Sequence, residues 1–242
     1  GADEVIVGDL LSPRDVSRAA QGTRAVYHIC PNMSSNEVEI GRIAIQAAVG
    51  AGLDRFVYHS VLRPQVEKMP HHWNKRQVEE QLFESPLNYT VLQPAAYMQN
   101  TLGSWDMILQ EGIFEVPYSV KSVSSLVDLH DIAQAACKVL TEDGYSWAVF
   151  ELCGPEPYSQ EKLAHILAEE LQRPVRARQV SIEGWKRRIA PARLSSYAVD
   201  ALVAMFEYYD AHGFPGNSVT LQALLGRQPT DFRAFVRRTI QN

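Results

Sequence analysis

FVYHSVLRPQVEKMPHHWNKRQVEEQLFESPLNYTVLQPAAYMQN, residues 56–100, is the stretch that decides the fold. It opens on a short apolar strand ending in Ser60. It then enters a helix over about 71–84 whose first residues read PHHWNKRQVEEQL, and returns through LNYTVLQP as a second strand over about 88–93. Strands that read as near-continuous apolar runs, joined by helices, belong to a parallel sheet covered on both faces, and its crossovers are right-handed. The same alternation holds toward the amino end. EVIVG (4–8) reads as a strand, Ser12 and Pro13 as the cap and first turn of a helix, RAVYHI (24–29) as a strand, and residues 35–52 as a long helix that Gly50-Ala51-Gly52 stops.

Toward the carboxyl end, residues 97–110 form a helix that Gly103 interrupts. FEVPYSVKSVSSLVDLHDIAQAACKVL (114–140) holds two short strands and a helix capped by Asp128 or Asp131. AVFELCG (148–154) returns as a strand, and Ser159 starts an amphipathic helix with Leu163, Ile166, Leu167 and Leu171 on one face. Beyond Pro174 the composition shifts, and a helix over about 195–212 aligns Val199, Leu202, Val203 and Phe206. The expected organisation is an α/β domain over 1–154 and a smaller, mainly helical lobe over 155–242. Trp105, Trp185, Tyr208 and Tyr209 are candidates for lining a cleft.

Composition narrows the function. A chain of 242 residues, 46% hydrophobic and 21% charged, suffices for one α/β core with a small appended lobe. A net charge of -5 argues against a surface for nucleic acid or anionic membrane, which needs clustered Lys and Arg. The basic run Lys186-Arg187-Arg188 reads as a solvated helix face. Cys30, Cys137 and Cys153 form no C-x-x-C and read as buried free thiols in a reducing compartment. With no apolar run long enough to span a bilayer and no signal-peptide pattern, the expected location is the cytoplasm, and also the nucleus in a eukaryote. His59, His71 and His72 lack the frame of a zinc site, so no metal is expected.

Taken together, VIVGDL (5–10), AVYHICPN (25–32), AGLDRFVYHSV (51–61), HHWNKRQVEEQL (71–82), LNYTVLQPAAYMQN (87–100), LVDLHDIAQAACKVL (126–140), ELCGPEPYSQEKLA (151–164) and LGRQPTDFRAFV (225–236) carry a resemblance that runs nearly end to end. The chain resembles the NmrA-like branch of atypical short-chain dehydrogenases. The resemblance implies a Rossmann-like domain that binds NADP or NAD, with a smaller lobe closing over the nicotinamide. It would place Asp9 and Leu10 beside the adenine, and Pro31 and Asn32 along the adenosine half. Ser60, Lys75, Pro94, Tyr97 and Asn100 would surround the nicotinamide and its ribose. In the wider superfamily a tyrosine transfers the proton and a lysine lowers its pKa while holding the ribose. Here the tyrosine's position, four residues before Lys75 on the same helical face, is His71. With an ordinary pKa near 6.5, His71 is the candidate proton donor beside Lys75 and Ser60. The plainer alternatives are a surface His-Lys pair, a loop-capping Ser60 and a helix-capping Asp9.

One departure stands out: no glycine-rich phosphate loop occurs in the sequence. The chain therefore reads as starting inside the fold, with the first βαβ unit absent, which leaves phosphate binding and the choice between NAD and NADP unassigned. The functional expectation is an NAD(P)(H)-binding redox sensor or regulator with weak or no intrinsic catalysis, its cofactor occupancy altering the binding of a protein partner. An NAD(P)H-dependent oxidoreductase acting on a small carbonyl, quinone or imine-type acceptor is the alternative, and a truncated form that binds no dinucleotide is the second. A homodimer through an exposed apolar edge is a further expectation; direct nucleic-acid or membrane binding is not expected.

Overall fold

The computed structural model describes residues 2–241. The chain divides into two compact units, one of residues up to 93 together with 136–150, the other of 94–135 together with 151 onward. The boundary expected after residue 154 thus becomes three crossings.

The first unit carries the sheet. Its elements are α1 (Pro13–Ala20), β1 (Ala25–His28), α2 (Glu37–Ala51), β2 (Arg55–His59), α3 (Pro70–Phe83), β3 (Tyr89–Pro94) and the start of β7 (Ala148–Leu152), with strand order β1-β2-β3-β7. β1 and β2 pair in parallel with Val26 opposite Phe56 and His28 opposite Tyr58; β2 and β3 pair in parallel with Phe56 opposite Tyr89 and His59 opposite Leu92. Alternation along β2 turns Phe56 and Tyr58 to the face where α2 and α3 supply Ala44, Ala48, Val78 and Leu82. The two helices approach closely because Gly41 has no side chain: a Cβ there would meet both Val78 methyls at 2.6 Å. α2 ends at Gly52 with φ +65°, the left-handed cap read from the sequence.

The first expected strand is not one. Residues 4–8 are irregular, with Val5 79% and Val7 88% exposed, while among the described residues β1 is an edge strand paired to β2 alone. β-Branched residues favour a strand only where a neighbour completes the ladder. Here the Val7 carbonyl accepts from Arg18 Nη2 at 2.9 Å instead.

The second unit packs β4 (Ala96–Tyr97), a 3-10 turn over Met98–Ser104, α4 (Trp105–Glu111), β5 (Ile113–Val116), β6 (Val123–Val127), the start of α5 (Leu129–Thr141), β8 (Pro157–Ser159), α6 (Gln160–Leu171), β9 (Arg176–Gln179), α7 (Ile182–Ile189), α8 (Ser196–His212), α9 (Val219–Leu225) and α10 (Phe232–Gln241). The helix expected over 97–110 is a 3-10 segment up to Ser104, and α only beyond it. Met98, Phe114, Tyr158, Leu167, Phe232 and Phe235 form its core. Tyr209 and Trp185 belong to an aromatic cluster with Tyr118 and Phe206. The two candidate caps of α5 separate: Asp128 Oδ1 caps it by accepting from the His130 N–H at 3.0 Å, whereas Asp131 accepts from Arg227 Nη2 at 2.7 Å and the Thr230 N–H at 2.6 Å. Gly154 donates to the Leu126 carbonyl at 2.7 Å, and a Cβ there would lie 2.4 Å from that oxygen.

Candidate functional site

The carboxyl end of β2 and α3 carry Ser60, Lys75 and His71 in the first unit, Ser60 buried and Lys75 and His71 half-buried. Lys75 Nζ donates to Glu37 Oε1 at 3.0 Å and to the His59 carbonyl at 3.2 Å. Its side chain is 16% exposed and that of Glu37 only 4%. The Tyr58 hydroxyl donates to the same Glu37 oxygen at 2.8 Å, and the ammonium lies 5.4 Å from the centre of the Tyr58 ring. An ammonium has three hydrogens and two are used here, so one is left for a further acceptor.

Ser60 follows β2, its backbone N–H donating to the Leu92 carbonyl at 2.8 Å. Its hydroxyl donates to Glu79 Oε1, and Gln93 Nε2 donates to Glu79 Oε1 at 2.8 Å and Oε2 at 3.0 Å. All three are buried. Burial raises the Glu79 pKa, against the hydrogen bonds from Ser60 and Gln93 and the charges of Lys75 and Arg76.

His71 faces inward, and its Nδ1 is buried without a hydrogen-bond partner among the described residues. Its ring packs edge-on against His72 with centroids 4.4 Å apart. Burial, then the neighbouring His72 and Lys75, press its pKa down to about 3. That corrects the expectation of a proton donor near neutrality: desolvation penalises the charged ring, so the imidazole is neutral at pH 7. Nor does Tyr58 supply an acid, because burial and Glu37 hold its pKa well above the usual phenol value.

Other expected site residues lie elsewhere. Asp9 and Leu10 are exposed ahead of α1, where Asp9 Oδ1 accepts from the Leu11 N–H at 2.9 Å and closes a local turn; Ser12, not Asp9, caps the helix. Pro31 and Asn32 are exposed beyond β1. Pro94, Tyr97 and Asn100 belong to the second unit, the first buried, the second half-buried and the third exposed. Cys30 and Cys153 are buried as expected, but Cys137 is exposed: in α5 Ala135, Ala136 and Val139 face inward and Cys137 lies on the opposite stripe. Burial and the nearby Glu37 push the Cys30 thiol up to about 12, which leaves it unreactive. Among the described residues no group of three His, Cys, Asp or Glu is placed to hold a metal ion, and no helix is long and apolar enough to cross a membrane.

Sequence reasoning missed the two buried carboxylates. Glu79 could have been found, because His71, Lys75 and Glu79 recur every four residues and so share one helical face. Glu37 gave no such signal, since an acid in the first turn of a helix is ordinary.

The NAD(P)H azoreductase of Xenophilus azovorans is 27% identical over 239 residues, covering 97% of this chain and 82% of that protein. Quinone oxidoreductase 2 of Escherichia coli is 25% identical over 215 residues, covering 89% and 75%. Among solved structures, the E. coli NADPH-dependent quinone oxidoreductase complexed with NADPH has a TM-score of 0.85 at 23% identity, covering 97% of this chain and 83% of that one. The NADP(H) complex of Citrobacter sp. triphenylmethane reductase has a TM-score of 0.84 at 22% identity, covering 96% and 82%. At those identities the structural likeness shows the fold, a Rossmann-like α/β architecture. The model of the NmrA-like family matches residues 2–236, and the chain belongs to that family.

Proposed function

We propose that this chain binds NADP(H) or NAD(H) and reduces a conjugated acceptor of the quinone or azo type. The observation that carries the reading is Lys75: a largely buried ammonium at the end of β2, held by Glu37 and the His59 carbonyl, with one hydrogen left for a ribose hydroxyl. The His71 Nδ1, without a hydrogen-bond partner among the described residues and on the same helical face, is a second polar atom that a ligand would satisfy. The nicotinamide-ribose half of a dinucleotide therefore fits these residues, whereas the sequence has no glycine-rich turn for the pyrophosphate. Bound there, the nicotinamide supplies the hydride, and the protein's part is to hold and orient it.

The acceptor class is supported by the relatives and by the state of His71, Tyr58 and Ser60. The azoreductase and the quinone oxidoreductase are named for conjugated acceptors. His71 is neutral at pH 7, Tyr58 keeps its proton and the Ser60 hydrogen is engaged by Glu79. A conjugated acceptor takes up hydride with its negative charge spread over the ring or azo system, and water can supply the proton afterwards.

That none of these three side chains is a ready proton donor also favours a second reading, a redox sensor whose dinucleotide occupancy is read by a protein partner and whose turnover is weak. The test is NADPH and NADH consumption with a benzoquinone and with an azo dye. Turnover that is unchanged in Lys75→Met would count against the assignment of Lys75. Saturable NADPH binding with no turnover on either acceptor would move the conclusion to the sensor, to be checked by comparing captured partners with and without NADPH.

A further inference from the structure

A serine hydroxyl has one hydrogen to give and two lone pairs with which to receive. In this chain the Ser60 hydrogen goes to Glu79 Oε1. Gln93 Nε2 bridges both oxygens of the same carboxylate, at 2.8 and 3.0 Å, so that Glu79 is held from two sides. Ser60 is 2%, Glu79 5% and Gln93 7% exposed, so water does not compete for these bonds. An ionised carboxylate accepts only, which leaves the Ser60 oxygen nothing to offer a ligand but its lone pairs.

We propose that Glu79 is a positioning residue that fixes Ser60 Oγ as a hydrogen-bond acceptor, so that the ligand group received there is an N–H or O–H donor. Resting on the dinucleotide reading above, that donor is the carboxamide N–H of the nicotinamide. Ser60 then orients the cofactor ring and gives no hydrogen bond to the oxygen or nitrogen being reduced. Burial raises the Glu79 pKa, and the hydrogen bonds from Ser60 and Gln93, then the charges of Lys75 and Arg76, act against that rise; Gln93 Nε2 donating to both carboxylate oxygens is the geometry of an acceptor-only group.

Two measurements test this together. The first compares the Kd of NADPH with that of its 3-acetylpyridine analogue, which keeps the ring carbonyl but replaces the amide N–H2 by a methyl group. Wild type should prefer NADPH by about ten-fold, the worth of roughly one hydrogen bond. Ser60→Ala and the near-isosteric Glu79→Gln, whose amide can turn its N–H2 toward Ser60, should both bring the ratio to within about two-fold. The second follows the Glu79 carboxyl carbon by NMR in glutamate-labelled protein. Ser60→Ala should move its titration midpoint upward, because the donor to the carboxylate is lost. Equal Kd values for the two dinucleotides in wild type overturn the carboxamide assignment. A Glu79 titration that Ser60→Ala leaves unmoved overturns the orientation of the hydroxyl. If neither dinucleotide binds, the cofactor reading fails and the carboxamide with it, and the Glu79 titration alone decides whether Ser60 is a fixed acceptor.

Discussion

Replacing Lys75 by methionine keeps most of the aliphatic stem but removes the cation 3.0 Å from Glu37 Oε1. The Glu37 carboxylate, 4% exposed, is then left with the Tyr58 hydroxyl at 2.8 Å and no counter-charge. Removing one member of a buried pair costs about 3–5 kcal/mol. Because the Tyr58 hydrogen bond survives and the lysine end is partly hydrated, the low end applies, about 3 kcal/mol. Glu37→Gln leaves an ammonium that still donates to the His59 carbonyl at 3.2 Å and has some access to water, so its loss is about 1–2 kcal/mol. The double variant leaves neither charge of this pair and should lose only about 1–2 kcal/mol, which makes the coupling between the two positions roughly 3 kcal/mol. Urea unfolding of the four proteins at pH 7.5 reads these values directly. Losses that add to within about 0.5 kcal/mol would show that the two charges do not share a desolvated site, and the reasoning about Lys75 would fail. The cycle also serves enzymology, since the double variant tests the lysine's role in binding with little contribution from unfolding.

Burial holds His28, His59, His71 and His72 down to about 4, 4, 3 and 4, against 6.5 for the free side chain. Between pH 6.5 and 4 the unfolded chain therefore binds more protons than the folded one. Stability is full above pH 6.5 and is lost as pH falls toward 4, by on the order of 3 kcal/mol per ring at 1.36 kcal/mol per pKa unit. Glu79, whose pKa is raised, works in the opposite direction above its ordinary value without cancelling four histidines. Thermal unfolding from pH 7.5 to 4.5 should show a steep fall in Tm, and a flat profile would contradict the buried neutral rings. Gly154→Ala should destabilise by about 1–3 kcal/mol, because its Cβ would press on the Leu126 carbonyl at 2.4 Å; an unchanged Tm would contradict that packing. In the native protein a disulfide reagent should modify one thiol quickly, Cys137, with Cys30 and Cys153 reacting only on unfolding; two fast thiols would contradict the burial.

Much of the frame was legible because its signals are local. Pro70 at the start of α3, Ser159 and Ser195 as caps and Gly52 as a stop announce their elements without reference to the rest of the chain. Residues 4–8 show the limit: their β-branched pattern is real, but a strand depends on a partner that pattern alone does not supply. The site was legible in its side chains and not in its electrostatics. Lys75 is near enough for its charge to act on His71 and on Glu79, the partner of Ser60, yet what each can do is set by Glu37, Glu79 and the depth of burial. A sequence lists the histidine but not the desolvation that takes its pKa from 6.5 to about 3. Unit boundaries were illegible for a related reason. Residues 136–150 rejoin the first unit after an excursion of 42 residues, and nothing local in α5 marks the crossing at 135–136.

The central claim is that this chain binds a nicotinamide dinucleotide through the cluster around Lys75. Titration with NADPH and NADH, read as energy transfer from the four tryptophans, one of them Trp73 two residues before Lys75, tests it most directly. Saturable binding in the micromolar range, about -8 kcal/mol, is expected, weakened in the Lys75→Met/Glu37→Gln variant. The absence of saturable transfer with either dinucleotide from folded wild-type protein would contradict it.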